Sequence, residues 1–434
     1  MSPSITSLLC PILAACHVYA QESYSQLPST AIPNGLLTPS GSYATNYDFG
    51  TTSNVSGSVG AINATTFTST TASLIGITGV PGPSTLPSVT ASTRSTTTRP
   101  SQPINTQPCN GYVEFCNRSL GNISMVVAHN SPFVIPRNAA SNQALGVITQ
   151  LNDGIRGLQF ETQMPNDILR LCHTSCNLLD AGTLQAYLQK VAGWLAANPY
   201  EVIAIMMGNT DRVSPTNYIQ PFEAAGLLPY LYTPTASTYS LDQWPTLAQM
   251  ILSNKRVVVM LDYGANQEEV SWLLDQFRYQ WQTPFSPTDT SFPCTAQRPP
   301  NQPEDVSRNK MYMLNHNLNI AITLNGNPGD AFLIPAYTLL NEVNADSGNT
   351  TTLGGNVANC TAMWNRPPNW LLVDYYNFGN FNGSVFQVAA NANNVSYNRN
   401  SCCGTESNSG AKSANLMSTA TLLLLNLLLL FSLW

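Results

Sequence analysis

Residues 124–129 read SMVVAH, a nearly continuous apolar run of strand length that ends at a histidine. Strands that are buried on both faces have this composition, because neither face meets water. Further runs of the same kind recur along the chain: GLQFET (157–162), ILRLC (168–172), EVIAIMM (201–207), RVVVMLD (256–262), KMYMLN (310–315) and WLLVD (370–374). Recurring buried strands predict a parallel sheet covered by helices.

Two segments between these runs carry helical spacing of apolar residues. They are TLQAYLQKVAGWLAANP (183–199) and QEEVSWLLDQFRYQW (267–281). Alternating strands and helices over residues 109–403 fit one α/β domain, a single (β/α) TIM-type barrel. A doubly wound open sheet is the alternative, but no Gly-rich phosphate loop follows the first run. We therefore predict a barrel.

Composition indicates where the protein works. Charged residues make up 9% of the 434-residue chain, compared with about 25% in ordinary soluble domains. A polar surface built instead from Ser, Thr, Asn and Gln favours a secreted, glycosylated protein. The net charge is −6, from 17 Lys and Arg against 23 Asp and Glu, and no basic cluster occurs. Nucleic acid is therefore not an expected partner.

Both ends of the sequence carry processing signals. Residues 1–20 combine an apolar stretch with a small-residue cleavage site, which predicts a secretory signal peptide. Residues 404–434 combine small residues, a polar spacer and an apolar tail, which predicts a glycosylphosphatidylinositol (GPI) anchor signal. The expected attachment residue is Asn408, Ser409 or Gly410. A membrane-spanning helix is the alternative; either way, the protein is expected on the outer face of the plasma membrane or in the cell wall.

Residues 21–108 are rich in Ser, Thr, Gly and Pro and lack a sustained hydrophobic period. Such a segment cannot bury enough apolar area to offset the entropy of ordering it. It is predicted to be a disordered, O-glycosylated stalk. N-x-S/T triplets, which mark N-glycan sites in secreted proteins, begin at Asn54, Asn63, Asn117, Asn122, Asn349, Asn359, Asn382 and Asn394.

Ten cysteines, less Cys10 and Cys16 of the signal peptide, leave eight in an oxidising compartment. Spacing suggests three disulfides: Cys109–Cys116, Cys172–Cys176 and Cys294–Cys360. The adjacent Cys402 and Cys403 remain unassigned. A zinc site around His173 and its two flanking cysteines is the alternative, although no second Cys/His group lies nearby in the sequence.

Two histidines end predicted strands. His129 closes SMVVAH, and His173 follows ILRLC. The carboxyl ends of barrel strands form the reactive face, so these imidazoles are expected to converge on one substrate and exchange protons with it. Asp262 and Asp374 also end strands, where they would bind substrate, orient a histidine or cap a helix. His316 is predicted to be a structural residue.

These motifs together resemble one family, the secreted fungal and plant branch of the phosphatidylinositol-specific phospholipase C (PI-PLC) X-domain-like phosphodiesterases. The resemblance is carried, in the family's order, by VVAHNSPFV (126–134), GIRGLQFETQ (154–163), LRLCHTSCNLLDAGTL (169–184), NPYEVIAIMM (198–207), VVVMLDYGAN (257–266), WQTPFSPTDTSFPCT (281–295) and WLLVDYYNFG (370–379). It implies a barrel that cleaves phosphodiesters. It also implies that His129 and His173 are catalytic and that Asn130 belongs to the motif.

The resemblance further implies either a metal ion or an arginine beside the phosphate. On the second strand the family has an acid, followed two residues later by a calcium-binding acid or a metal-replacing arginine; this chain has Gln159 and Glu161. Arg156 falls on the opposite face by strand alternation and is predicted to be a structural ion-pair partner. On the fourth strand, Met207 and Gly208 stand where metal-dependent members have an acid. Calcium or magnesium bound through Asn130, Gln159 and Glu161 is therefore expected to be weak.

We expect an extracellular, GPI-anchored phosphoric diester hydrolase acting on a phosphodiester or phosphoinositide-type substrate. His129 would take the nucleophile's proton or bind a phosphoryl oxygen, and His173 would protonate the leaving oxygen. Glu161 is the alternative base. Two other functions stay open: a catalytically impaired barrel serving as a cell-surface binding or wall protein, and a glycosidase using Glu161, Asp262 or Asp374. The histidine pair argues against the glycosidase.

Overall fold

The computed structural model describes residues 105–323, 331–398 and 402–403. Several predictions lie outside the described residues: the signal peptide, all of the stalk before residue 105, the GPI signal with Asn408, Ser409 and Gly410, and the glycan sites Asn54 and Asn63. Within the described residues, no helix is long and apolar enough to span a bilayer.

Short strands and helices alternate along the described chain. The strands are β1 (Met125–Ala128), β2 (Gly157–Thr162), β3 (Arg170–Cys172), β4 (Asp180–Thr183), β5 (Ile203–Asn209), β6 (Val257–Leu261), β7 (Leu273–Asp275), β8 (Gln280–Gln282), β9 (Met311–Asn315), β10 (Asn319–Thr323), β11 (Ala331–Pro335) and β12 (Trp370–Val373). The helices are α1 (Val147–Asp153), α2 (Leu184–Ala197), α3 (Ile219–Ala224), α4 (Leu247–Leu252), α5 (Gln276–Tyr279), α6 (Glu304–Arg308), α7 (Leu340–Val343), α8 (Leu353–Trp364) and α9 (Ser384–Asn393).

Eight of the described strands form one curled sheet, in the order β7-β6-β5-β2-β1-β12-β9-β8. Every neighbouring pair is parallel. No ladder joins the edge strands β7 and β8 among the described residues, so the barrel is open on that side. The predicted α/β barrel class is confirmed. The carboxyl ends of these strands lie at one end of the barrel, which we call the mouth.

Alternation along the strands separates two hydrophobic layers. Leu158 belongs to the layer between the sheet and the surrounding helices. Val127 and Met260 belong to the layer inside the barrel. Because side chains two residues apart share a face, His129 follows Val127 into the interior. Glu161 is interior by the same parity, since it shares a face of β2 with a glycine that packs on Val127.

The run at residues 168–172 forms a strand, but that strand does not join the barrel. β3 pairs antiparallel with β4 in a separate two-stranded hairpin. Arg170 of β3 forms an ion pair with Asp180 of β4, with an N–O distance of 2.7 Å. Both of these side chains are partly exposed, whereas a central parallel strand would bury them on two faces. The hairpin leads directly into His173.

The predicted helix at residues 267–281 is wrong. The segment contains β7, the four-residue helix α5 and β8. β7 pairs with β6, and β8 pairs with β9. Pairing at the two edges of the sheet therefore overrides a helical spacing of apolar residues. The sequence pattern thus concealed the two strands that border the open side of the barrel.

Other local predictions agree with the structure. The helix predicted at residues 183–199 is α2, whose first turn is capped by the side chain of Thr183. Arg156, at the end of the barrel opposite the mouth, lies 2.7 Å from Glu201 in the expected structural ion pair. The six predicted glycan acceptors among the described residues are all exposed: Asn117, Asn122, Asn349, Asn359, Asn382 and Asn394.

The structure joins the described cysteines as disulfides. The pairs are Cys109–Cys116, Cys172–Cys176, Cys294–Cys360 and Cys402–Cys403. The first three are the pairs that the spacing suggested, and the fourth joins the two cysteines left unassigned. With its sulfurs bonded to each other, the turn around His173 offers no thiolate to zinc.

Candidate active site

Acidic and imidazole side chains converge at the mouth from four strands. His129 follows β1, Glu161 lies near the end of β2, Asp262 follows β6 and Asp374 follows β12. These elements are neighbours or near neighbours in the sheet, so parallel pairing places their carboxyl ends together. The mouth therefore gathers residues that are far apart along the chain.

A short hydrogen bond joins His129 to Asp374. Nδ1 of His129 lies 2.7 Å from Oδ1 of Asp374, and both side chains are almost fully buried. The sheet sets this contact, because the His129 backbone N–H donates to the Val373 carbonyl oxygen at 3.0 Å. Asn142 donates to the same carboxylate oxygen at 2.9 Å. A carboxylate can only accept, so Nδ1 carries the proton and Nε2 is left to exchange one with a substrate.

The second histidine reaches the mouth on the β3–β4 hairpin. His173 directly follows β3 and lies in the turn that the Cys172–Cys176 disulfide closes. Its ring meets Phe133 edge-on, with centroids 5.2 Å apart. Burial, and then the positive charge of His129, lower the pKa of His173 to about 4. The two imidazoles are thus close enough to influence each other, and without a bound anion His173 is neutral at neutral pH.

Glu161 is a deeply placed carboxyl that accepts a single described hydrogen bond. Its Oε2 accepts from the backbone N–H of Thr174 at 3.4 Å, in the same disulfide-closed turn. Burial raises the pKa of Glu161 and the carboxyl of Asp262 adds to the rise, while the Thr174 N–H, His129 and Arg298 oppose it. Glu161 therefore holds its proton to a higher pH than an ordinary glutamate does.

Asn130 and Gln159, both predicted to bind substrate or metal, contact each other. Oε1 of Gln159 accepts from the backbone N–H of Asn130 at 3.0 Å. Asn130 has a left-handed φ of 48°, which asparagine tolerates better than most residues. Its Oδ1 is buried and has no hydrogen-bond partner among the described residues. Gln159 therefore positions the backbone next to His129, while the Asn130 side chain keeps one acceptor unused.

Arg298 is a mouth residue that the sequence analysis missed. It lies in the chain after β8, where its backbone N–H donates to the Gln282 carbonyl oxygen at 3.2 Å. Its guanidinium is 3.4 Å from Asp262 and packs against aromatic rings, with Phe285 at 4.5 Å. Because a helix was predicted at residues 267–281, the prediction did not include β8, the strand that positions Arg298. A usable signal was present, since Arg298 lies three residues after the family-like segment 281–295 and arginine is scarce in this chain.

Gly208 leaves a space between two carboxyls. A β-carbon at this position would lie 3.5 Å from Cγ of Glu161 and 3.7 Å from Oδ2 of Asp262. An acid on this strand would complete a ring of three carboxyls, but this chain has only a hydrogen there. Glu161 and Asp262 therefore flank a position that no side chain fills.

The oxygen atoms at the mouth do not fit a tightly bound divalent cation. Asp262 already accepts from Arg298 and from the backbone of Asn209, and Gln159 accepts from Asn130. Calcium and magnesium take six or more oxygen ligands. Among the described residues, three metal-ligating side chains come within reach of one ion at Asp153, Cys402 and Cys403, where both sulfurs form a disulfide.

His316 lies apart from this chemistry. It is fully buried, its Nε2 is 3.0 Å from the Val343 carbonyl oxygen, and its ring lies on Phe292 with centroids 3.9 Å apart. Burial lowers the pKa of His316 to about 4. These contacts agree with the structural role predicted for it.

Comparisons with known proteins agree with the motifs. An uncharacterized secreted protein of Arthroderma benhamiae is 47% identical over 431 residues, which cover 98% of this chain and 96% of that protein. A PI-PLC X domain-containing protein of the same fungus is 37% identical over 274 residues, covering 62% and 86%. The solved phosphatidylinositol-specific phospholipase C of Listeria monocytogenes aligns with a TM-score of 0.41 at 16% identity, covering 64% and 95%. The PI-PLC X family model matches residues 115–390, well over half of the sequence, and the chain therefore belongs to the PI-PLC X family.

Proposed function

We propose that this chain is a secreted phosphoric diester hydrolase of the phospholipase C-like class, in which His129 and His173 exchange the protons. The observation that carries the proposal is the hydrogen bond from His129 Nδ1 to Asp374 at the mouth, which leaves Nε2 available to exchange a proton. Membership of the PI-PLC X family supports the reaction class.

The reaction requires one proton to be removed and one to be supplied. An inositol hydroxyl or a water attacks phosphorus while Nε2 of His129 takes the proton of the attacking oxygen. The new P–O bond forms as the P–O bond to the lipid alkoxide breaks, and His173 gives that alkoxide a proton. His129 ends this step protonated and His173 ends it neutral, so protons balance. Asp374 stabilises the imidazolium that His129 becomes.

For this role His173 must be protonated in the substrate complex. Its pKa of about 4 belongs to the site without an anion. A phosphodiester beside the ring favours the imidazolium form, because a nearby opposite charge raises the pKa of a histidine. Binding of the anionic substrate therefore loads His173 with the proton that it later donates. Glu161 is the alternative base in place of His129.

The contacts of the acids weigh against a glycosidase. That reaction needs two carboxyl groups facing one glycosidic bond. Asp374 is hydrogen-bonded to His129, and Asp262 forms an ion pair with Arg298. Of the three acids, only Glu161 remains available for such a reaction. A catalytically impaired barrel that binds a ligand at the cell surface is the second candidate, because Met207 and Gly208 stand where metal-dependent members of the family have an acid.

Location is the second part of the proposal. The predicted signal peptide indicates export, and a fungal relative that is 47% identical over nearly the whole chain is named as secreted. The composition of residues 404–434 favours a GPI anchor, which would hold the barrel at the outer face of the membrane or wall. An enzyme that cuts GPI anchors should release the protein from cells. A membrane-retained chain with an intact peptide through Trp434 would support a spanning helix instead.

A loosely held calcium or magnesium ion is the alternative source of positive charge at the mouth. Glu161 and the unused Oδ1 of Asn130 would be its ligands, with Gln159 beside them. Such an ion would neutralise charge on the phosphoryl oxygens.

The proposed activity can be tested with the full secreted chain. Phosphatidylinositol vesicles, a soluble glycerophosphodiester and an aryl phosphodiester should be compared, and hydrolysis of at least one is expected. Turnover that survives replacement of both histidines would contradict the two-histidine mechanism. Binding of these compounds without turnover would favour the impaired barrel.

A further inference from the structure

The mouth contains more acids than cations. Three carboxyls lie there, those of Glu161, Asp262 and Asp374, and His173 favours its neutral form. A phosphodiester brings one more negative charge, and its cleavage concentrates negative charge on the phosphoryl oxygens. A positively charged donor must therefore face those oxygens if the reaction is to be fast.

Arg298 is held at the mouth by contacts that leave part of its guanidinium unused. Nη2 donates to Oδ2 of Asp262 at 3.4 Å and to the Tyr263 hydroxyl at 3.1 Å, and Nη1 donates to Oε1 of Gln282 at 3.2 Å. These bonds use three of the five N–H groups of the guanidinium. The Nε–H and one Nη1–H have no partner among the described residues. The side chain is only 10% exposed, so its charge acts in surroundings that screen it poorly.

The charge of Arg298 also lies next to an available space. Its partner Asp262 and the carboxyl of Glu161 flank the position where Gly208 lacks a side chain. Asp262 contacts Arg298 and also borders this position, so the guanidinium lies on the Asp262 side of it. A phosphoryl group bound there would have a cation nearby.

We propose that Arg298 binds the phosphoryl oxygens of the substrate and stabilises the charge that develops on them, in place of a metal ion. This inference rests on the proposed function and supplies the cation that the second strand lacks. A planar guanidinium can donate two parallel N–H groups to two oxygens, which a lysine cannot do. Asp262 is then a positioning residue that holds the guanidinium.

The alternative is that Arg298 only stabilises the fold. Arg298 lies after the edge strand β8 and Asp262 lies after β6, the neighbour of the other edge strand, so their ion pair crosses the open side of the barrel. Arg212 provides a matched control. Its guanidinium lies over the same Tyr263 ring, 5.1 Å from the centroid, but the residue is exposed and has no described ion pair.

The test uses the full secreted chain with Arg298→Gln, Arg298→Lys and the control Arg212→Gln. A double variant, Arg298→Gln with Asp262→Asn, removes the ion pair without leaving a buried carboxylate unpaired. Three quantities are measured: kcat/KM on phosphatidylinositol vesicles with and without EDTA, calorimetric binding of inorganic phosphate, and the melting temperature. Arg298→Gln, or the double variant if the single one unfolds, should lower kcat/KM by about 10²- to 10³-fold and weaken phosphate binding.

Arg298→Lys should recover less than a tenth of the lost activity, and Arg212→Gln should stay within about threefold of the parent, because an exposed charge is screened by water. EDTA should leave the activity of the parent unchanged. Unchanged kcat/KM and phosphate affinity in folded Arg298 variants would overturn the inference. So would a parent activity that EDTA abolishes and calcium restores. If the parent hydrolyses no phosphodiester, the proposed function fails, while phosphate binding still decides whether Arg298 forms an anion site.

Discussion

The two sides of the mouth are built differently. On the histidine side, made of His129, His173 and Asp374, one oxygen of the central carboxylate accepts hydrogen bonds from His129 and an asparagine. On the arginine side, made of Glu161, Asp262 and Arg298, two carboxyls share one cation, and burial raises the pKa of both acids. The first arrangement suits the movement of protons, and the second suits the binding of a charged group.

The two sides also compare differently with the family. His129 and His173 stand where the sequence resemblance places the catalytic histidines. The arginine side lacks both the second-strand arginine and the fourth-strand acid, and it takes its cation from the loop after β8 instead. A departure in sequence therefore need not mean that the chemical group is missing, because another segment can supply it.

Removing either imidazole should have the largest effect on the histidine side. His129→Ala and His173→Ala should each lower turnover by about 10²- to 10⁴-fold, because each removes a proton-transfer group. Steady-state kinetics on the best phosphodiester would measure this. His316→Asn is the matched control, since it removes a buried imidazole away from the mouth and should leave turnover per folded molecule near the parent value. Equal activity in all three variants would refute the assignment of the two histidines.

Asp374→Asn should have the next largest effect, on the order of 10²-fold in kcat, because an amide no longer stabilises the imidazolium of His129 and can impose the wrong tautomer. The melting temperature, measured beside kcat, distinguishes this from a packing defect. We expect kcat to fall while the melting temperature stays near that of the parent. A loss of activity that follows a loss of folded protein would mean that Asp374 serves only the fold.

The turn that carries His173 should matter for activity more than for global stability. Cys172→Ser with Cys176→Ser opens the turn and should lower kcat by about tenfold, because a mispositioned proton donor acts less efficiently. Cys109→Ser with Cys116→Ser is the control, since it removes another short-range disulfide that does not border the mouth. Kinetics together with melting temperatures separate the two effects. Similar losses of turnover in both double variants would contradict a local role for the turn.

The histidine side should make the protein sensitive to acid. The pKa of His173 falls from 6.5 to about 4 on folding, so the unfolded chain binds more protons than the folded one between these values. Stability is therefore lost as pH falls from about 6.5 to 4, by at most about 3 kcal/mol for this group. His173→Asn should reduce this loss in urea unfolding measured across that window. Parallel stability curves for variant and parent would contradict the burial of a neutral imidazole.

The arginine side should respond in the opposite direction, with the smallest effect. Burial raises the pKa of Glu161 above its ordinary value of 4.5. The folded chain therefore keeps a proton on this carboxyl at pH values where the unfolded chain has released it. The stability contributed by this carboxyl is present below pH 4.5 and is lost as pH rises through the folded pKa. Glu161→Gln, which mimics the protonated acid, should raise the melting temperature at pH 8 relative to the parent more than at pH 4. If the variant instead gained melting temperature over the parent only at acid pH, the pKa of Glu161 would not be raised by folding.

Prediction from sequence succeeded where a local pattern carries the information. The apolar runs around residues 124–129 and 370–374 became buried parallel strands, and each run also specified which side chain follows it at the mouth. Prediction from sequence failed where short strands lie within a segment whose apolar residues have helical spacing. Residues 267–281 are apolar at a helical spacing, yet the chain there divides into two edge strands and one helical turn, because pairing with β6 and β9 decides the outcome.

The sequence by itself determined the α/β class, the strands that end at His129 and Asp374, and the low charge typical of an exported protein. Only the tertiary structure decided which of these residues meet. His129 and Asp374 are 245 residues apart, and Arg298 reaches Asp262 from beyond the far edge of the sheet. The physical reason is that hydrophobic periodicity depends on the nearest few residues, whereas partners at the mouth depend on strand order, on the curl of the sheet and on the reach of long side chains.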